Sequence, residues 1–118
     1  MRCFLLQHFS NRKMSTCRVA VIQLTSTSDK SRNREKCFEL LSKAKNHGAQ
    51  VAFLPEAFDF IGESANQTAE MAETIDAADG IISHCKRWAS QLGLALSLGG
   101  NWPFKRPPSW HIHIFGTI

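Results

Sequence analysis

The sequence has no apolar run long enough to cross a membrane, no tyrosine and no CxxC pair. Its longest apolar stretches, such as VAVI and LALSL, fall short of the roughly 18 residues that a membrane helix requires. Without a CxxC spacing, its four cysteines indicate neither a zinc clip nor a redox pair. We therefore expect no membrane partner and no metal.

The cysteines, in a chain without a clear secretion signal, are expected to be reduced thiols. Two of them, Cys37 and Cys85, fall within predicted helices. A small thiol on the apolar side of a helix is usually buried in the core. We predict this structural role for both.

Acidic residues are absent from positions 1–28, which carry Arg2, Arg12, Lys13 and Arg18. The other ten basic side chains are balanced by the ten acidic ones, so the net charge of +4 lies entirely in this N-terminal part. A basic binding face on the folded part is therefore not supported, and we expect no nucleic-acid partner.

Residues 1–17, MRCFLLQHFSNRKMSTC, predict either an organelle transit peptide or a disordered tail. The segment is basic and acid-free, and Phe4, Leu5, Leu6 and Phe9 are close enough to share a helix face. A second start at Met14 would delete most of it and favour the cytoplasm. Mitochondrial and cytoplasmic locations are weighed equally, and cleavage of residues 1–13 stays open.

The following residues predict a strand, an amphipathic helix and a second strand. RVAVIQL, at 18–24, has the β-branched composition of a strand buried on both faces. A helix is expected from Asp29 to His47, ended by Gly48, and QVAFL then forms a strand that Pro55 stops. Such a βαβ unit places its two strands parallel in one sheet.

A second helical region is predicted at 66–93, broken near DAADG, and LALSLGG at 94–100 predicts a third strand. The apolar stripe of this region, at helical spacing, comprises Ile81, Ile82, Cys85, Trp88, Ala89 and Leu92. The fold class is therefore α/β, with the order β-α-β-α-β. We predict one domain over 18–100 and a divergent tail at 101–118.

Glu56 stands two residues after the end of the second predicted strand, in VAFLPEAFDFIG. Ligands of open parallel sheets bind beyond the carboxyl ends of the strands, so this carboxylate is placed where a catalytic group could act. Glutamates at strand exits are also commonly solvated turn residues. Topology alone leaves both interpretations open and favours the solvated one.

Three segments, RVAVIQLTSTSDKSRN, GAQVAFLPEAFDFIG and LALSLGG, together resemble the opening of the nitrilase (carbon–nitrogen hydrolase) superfamily. The resemblance covers about residues 18–100, and AFLPEAFDFI is its specific part. It implies the N-terminal portion of a four-layer α-β-β-α sandwich. It also implies hydrolysis of a small ω-amide, such as that of deaminated glutathione, without an external cofactor.

The resemblance gives Glu56 the position of the general base in a glutamate, lysine and cysteine triad. In the implied chemistry, the thiol attacks the amide carbon and the glutamate takes its proton. The family's lysine and cysteine motifs follow the third strand, and neither occurs in these 118 residues. Cys85 and Lys105 do not stand in those contexts, so we expect the 118 residues alone to be inactive.

The tail, NWPFKRPPSWHIHIFGTI, leaves the family pattern at Asn101. Its prolines disfavour a helix, while WHIHIF alternates like a strand with His111 and His113 on one face. Two histidines at this spacing could contribute to a metal site, but the tail offers no acidic or thiol partner. A surface strand or a disordered end is the preferred interpretation.

Three strands and two helical regions would leave one face of the sheet uncovered. Exposed apolar strand surface favours association. We therefore expect a homo-oligomer or pairing with full-length subunits. This supports an alternative function, that of a non-catalytic truncated isoform acting as an interaction module.

Overall fold

The computed structural model describes residues 16–74 and 77–99, together with the backbone of two short strands at 2–6 and 114–115. Five strands form one sheet in the order β1-β2-β3-β4-β5. Their bounds are Arg2–Leu6, Cys17–Val21, Val51–Leu54, Ala95–Leu98 and Ile114–Phe115. The three inner strands β2, β3 and β4 run parallel, and the two outer strands pair antiparallel to them. The predicted α/β class with a parallel sheet is confirmed.

Three helices lie in the described part of the chain: α1 over Lys30–Asn46, α2 over Ala65–Glu70 and α3 over Ile81–Leu92. The side chain of Asp29 caps α1 by accepting from the Arg32 amide. Gly93 ends α3 in the left-handed conformation, with φ of 55°. The break predicted near DAADG is confirmed, since no helix covers 71–80 within the described residues.

The core lies between the helices and one face of the sheet. Strand residues Ala20, Ala52, Leu54, Leu96 and Leu98 supply the sheet side, and each is at most 4% exposed. The helical side is supplied mainly by Cys37, Leu41, Ala44, Ile81, Ile82, Cys85, Trp88 and Ala89. Burial of both cysteines confirms their predicted structural role, and burial raises the pKa of the Cys37 thiol to about 12.

Strand β2 corrects one prediction. It is not buried on both faces, because Ala20 is fully buried whereas Val21 is 41% exposed. Val21 pairs with Phe53 of β3, which is 43% exposed. Successive side chains of a strand point to opposite faces, so these two lie on the face away from the helices. An apolar run shows that both faces of a strand could be buried. Whether the second face is covered depends on which other elements pack on it.

The N-terminal segment also differs from expectation at the level of secondary structure. Residues suggested for a helix face lie partly in the strand Arg2–Leu6, which pairs with β2 along its whole length. A short run of apolar residues satisfies its backbone hydrogen bonds equally well at a sheet edge. Whether residues 1–17 act in targeting stays a prediction.

None of the helices in the described part of the chain has the length and apolarity needed to cross a bilayer. At the other end, Ile114–Phe115 forms a short strand against β4. This agrees with the strand-like alternation of WHIHIF. His111 and His113 lie outside the described residues, as does Lys105.

Candidate active site

Glu56 stands two residues after the end of β3, in a turn that begins after Pro55. Because β3 is the central strand and runs parallel to both neighbours, this turn lies at the carboxyl edge of the parallel sheet. The side chain of Glu56 is exposed and makes no hydrogen bond or ion pair to any described residue. Among the described residues, only the backbone therefore fixes where this side chain begins.

Gly99 packs against the backbone that leads into Glu56. Its amide donates to the Leu54 carbonyl at 3.0 Å. A Cβ at this position would lie 2.7 Å from the carbonyl carbon of Pro55 and 2.8 Å from the Glu56 nitrogen. These are backbone atoms that cannot give way locally, so the exits of β3 and β4 can only meet this closely with glycine here.

Ala57, the next residue, has φ of 49°, a conformation that L-residues seldom adopt. It is the sole non-glycine residue with positive φ in the described part of the chain. Strained backbone of this kind persists when surrounding contacts hold it, and it often occurs at functional sites. The turn that directs Glu56 is thus a conformation imposed by its neighbours.

The chain after Ala57 is anchored in the core. Phe58 is fully buried and Phe60 is 2% exposed, while Asp59 between them is 5% exposed. The sequence left open which of the two phenylalanines points inward, and both do. Lys30 lies over the Phe60 ring, 5.6 Å from its centroid. Neither ring is free to line an open pocket in this structure.

Asn33 of α1 joins this loop to the one after β2. Its side-chain nitrogen donates to the carbonyls of Asp59 at 2.8 Å and Thr27 at 2.7 Å. Its side-chain oxygen accepts from the Thr27 amide at 3.0 Å. Ile61 in turn donates its amide to the Thr27 carbonyl at 3.1 Å. A buried amide with its hydrogen bonds satisfied fixes both loops on the helix.

Arg34, one residue further along α1, binds the Asp59 carboxylate through two nitrogens. Its Nε lies 2.7 Å from Oδ1 and its Nη2 lies 3.1 Å from Oδ2. Burial alone would lower the pKa of Arg34, but the hydrogen bonds and charges of Asp59 and Glu73 outweigh this and raise it. The guanidinium remains charged.

Glu73 completes the charged cluster. Its Oε1 accepts from Arg34 at 2.9 Å and also binds Lys30, and its Oε2 accepts from the Ile81 amide at the start of α3. Burial alone would raise the pKa of Glu73, but the Lys30 and Ile81 hydrogen bonds outweigh this effect and lower it. The Glu73 carboxylate is thus occupied on both oxygens, whereas Glu56 makes no such contact with the described residues.

The two cysteines predicted in helices do not lie with Glu56. Cys37 and Cys85 are buried in the core between α1 and α3, and burial raises the pKa of both thiols. A thiol in that state is a poor nucleophile. Among residues 16–74 and 77–99 there is no group of three or more His, Cys, Asp or Glu side chains placed to hold a metal ion.

Comparison with known proteins gives the family. A family model described as carbon-nitrogen hydrolase matches residues 18–102. Deaminated glutathione amidase of Bos taurus is 44% identical over 82 residues, which cover 70% of this chain and 24% of that protein. The chain therefore spans about a quarter of the length of this relative.

Two solved structures share the fold. The Caenorhabditis elegans NitFhit protein matches with a TM-score of 0.62 and 31% identity, over 70% of this chain and 20% of that one. A Nesterenkonia amidase, with one glutamate changed to glutamine and one cysteine to alanine and in complex with acrylamide, matches with a TM-score of 0.58 and 25% identity. That match covers 70% of this chain and 31% of the amidase. Because the family model covers well over half of its residues, the chain belongs to the carbon–nitrogen hydrolase family.

Proposed function

We propose that Glu56 is the proton acceptor of a carbon–nitrogen hydrolase acting on a small ω-amide such as that of deaminated glutathione. The observation that carries the proposal is the placement of a solvent-open carboxylate at the carboxyl edge of a parallel sheet, in a turn whose backbone is fixed. The bovine relative supports the substrate class, since it is a deaminated glutathione amidase.

The proposed reaction requires three groups. A cysteine thiol gives its proton to Glu56 as its sulfur bonds to the amide carbon, and a lysine with backbone donors stabilises the oxyanion. The proton then passes to the leaving nitrogen, the C–N bond breaks, and ammonia departs. Water next attacks the thioester, Glu56 takes a proton from it, and the carboxylic acid and the free thiol are released.

We further propose that the 118 residues do not perform this reaction by themselves. Neither the family's lysine motif nor its cysteine motif occurs in them, and the two buried thiols cannot substitute. The expected result is that the purified 118-residue chain releases no ammonia from an ω-amide above background. Enzymatic release that Glu56→Gln abolishes would overturn this part of the proposal.

The first measurement is transcript sequencing across the codons for Gly100 and Asn101. If a transcript continues into lysine and cysteine motifs, its product is assayed with Glu56→Gln and with Glu35→Gln, an exposed carboxylate on α1, as the matched control. Loss of general base catalysis lowers kcat by about 10²- to 10⁴-fold, and the control leaves it unchanged. Full activity of Glu56→Gln would refute the assigned role.

The alternative function, an interaction module, has one observation in its favour. Val21 and Phe53 are paired, apolar and exposed on the sheet face away from the helices. If this face pairs with full-length subunits, the chain co-purifies with them, and Val21→Thr combined with Phe53→Ser weakens the association. Ile61→Thr, which changes an exposed residue outside the sheet, is the control.

A further inference from the structure

The orientation of Glu56 depends on contacts that Glu56 itself does not make. Its side chain has no partner among the described residues, and the next residue, Ala57, is held at a positive φ. An L-residue leaves that conformation unless something prevents it. The constraint must therefore come from residues that hold the loop on both sides of the turn.

On the downstream side, the constraint comes from α1. Arg34 binds both oxygens of Asp59, and the side chains are 16% and 7% exposed. Two parallel hydrogen bonds between planar groups fix orientation as well as distance. Because Asp59 is two residues after Ala57, this pair fixes where the chain must be shortly after the turn.

On the upstream side, the constraint comes from β4. Gly99 lies against the backbone of Pro55 and Glu56, and β4 is reached through α3. Glu73 connects the two sides, since it accepts from Arg34 at 2.9 Å and from the first amide of α3 at 2.9 Å. The Arg34 guanidinium on α1 thus contacts the loop after β3 through Asp59 and reaches the start of α3 through Glu73.

We propose that Arg34 and Asp59 are positioning residues for Glu56: their ion pair maintains the turn that carries Glu56 at the carboxyl edge of the parallel sheet. The inference rests on the proposed role of Glu56. Neither residue touches the reacting atoms in this scheme. Their effect passes through the backbone of residues 57–59.

The test is hydrogen–deuterium exchange of the 118-residue chain, followed by mass spectrometry of peptides covering 56–62 and 94–98. Arg34→Met removes the guanidinium, Asp59→Asn removes the charge, and Arg34→Lys keeps the charge but not the paired hydrogen bonds. Arg32→Met is the matched control, because Arg32 is exposed on the same helix and makes no side-chain ion pair to the described residues.

We expect exchange of 56–62 to accelerate at least tenfold in Arg34→Met and Asp59→Asn, and less in Arg34→Lys. Exchange of 94–98 is expected to stay within about twofold of wild type. The Arg32→Met variant is expected to match wild type in both peptides. Equal acceleration of both peptides would mean that Arg34 supports only the fold as a whole. Unchanged exchange of 56–62 would show that Arg34 does not hold this loop. Either result would overturn the proposal.

A second readout reports the turn directly. In protein labelled with 13C-methyl alanine, the Ala57 signal is assigned by its loss in Ala57→Gly. We expect it to shift or broaden in Arg34→Lys, which retains the charge and is the variant best able to fold, while the Ala52 signal is unchanged. An unmoved Ala57 signal overturns the proposal. Neither readout depends on amide hydrolysis, so failure of Glu56 as the base would be seen separately, in the kcat assay.

Discussion

The two halves of helix α1 carry ion pairs in very different surroundings. Near its start, Arg34 contacts Asp59 and Glu73, and these side chains are between 7% and 21% exposed. Further along, Glu39 pairs with Lys36 and Lys43, and these side chains are between 45% and 55% exposed. The nitrogen–oxygen distances in the two groups are similar. Only the first group connects separate elements of the fold.

This difference has an energetic consequence. Exposed pairs along a helix contribute little, because water solvates each partner almost as well and the side chains lose freedom when they pair. A buried pair is different, since removing one partner leaves the other without compensation in a poorly solvated place. The ion pairs at the start of α1 therefore hold the loop beside Glu56, while those of its later turns are solvated and connect no separate elements.

The sharpest test of this comparison is Asp59→Ala. It leaves Arg34 without its two-point partner, although Glu73 remains in contact. We expect the free energy of unfolding to fall by about 3 kcal/mol. Urea unfolding, monitored by the fluorescence of the tryptophans, measures the change.

The matched variant at the other group is Glu39→Ala. The hydrogen bonds of Lys36 and Lys43 lower the pKa of Glu39 to about 2, yet this carboxylate is open to solvent. We expect no change in the urea midpoint beyond experimental error. A destabilisation comparable with that of Asp59→Ala would contradict the distinction between the two groups.

Gly99→Ala tests the upstream contact of the same loop. The added Cβ would lie under 3 Å from three backbone atoms at 54–56, so we expect a loss of about 1–3 kcal/mol and faster hydrogen exchange at 56–62. Gly93→Ala is the control. Gly93 has φ of 55°, which strains an alanine, but the added Cβ would meet nothing closer than 3.6 Å. Hydrogen exchange at 56–62 should therefore not change.

The position of Glu56 at the end of a strand was predictable from local signals: an apolar run, a proline that ends it, and a carboxylate immediately after. Its role as the general base came from the family resemblance and stays a prediction. Asn33 also left a local signal that was missed. It occupies the buried stripe of α1 with Cys37, Leu41 and Ala44, where a polar residue must find buried partners.

The pairing of Arg34 with Asp59 had no such signal. The two residues are 25 positions apart, and their contact depends on how α1 lies over the loop. The predicted burial of both faces of β2 failed for a related reason, because a strand's composition does not determine what packs on its second face. Elements were predictable from periodicity, whereas contacts between elements required the structure.

Glu73 gives a pH dependence to the buried cluster. Its pKa is below the ordinary value of 4.5 in the folded chain, so its stabilising effect is fully present above pH 4.5. The effect is lost as the pH falls through the lower, folded-state pKa. We expect Glu73→Gln to be less stable than wild type at pH 7, with the gap closing in acid. Urea midpoints between pH 7 and pH 3 measure this, with Glu35→Gln as the control. A constant gap would contradict the assignment.

Ala57→Gly is expected to have a small effect on stability, and its sign is informative. Relief of the positive φ stabilises the fold by about 1–2 kcal/mol, while the extra freedom of glycine in the unfolded chain offsets about 0.4–1 kcal/mol. We expect a net gain of about 0–1.6 kcal/mol in the free energy of unfolding, measured in urea, together with faster hydrogen exchange at 56–62. Stability and order of the turn would then change in opposite directions. If Ala57→Gly instead destabilises the fold as much as Asp59→Ala does, the methyl group of Ala57 contributes packing, and the turn is not held in strain by its neighbours.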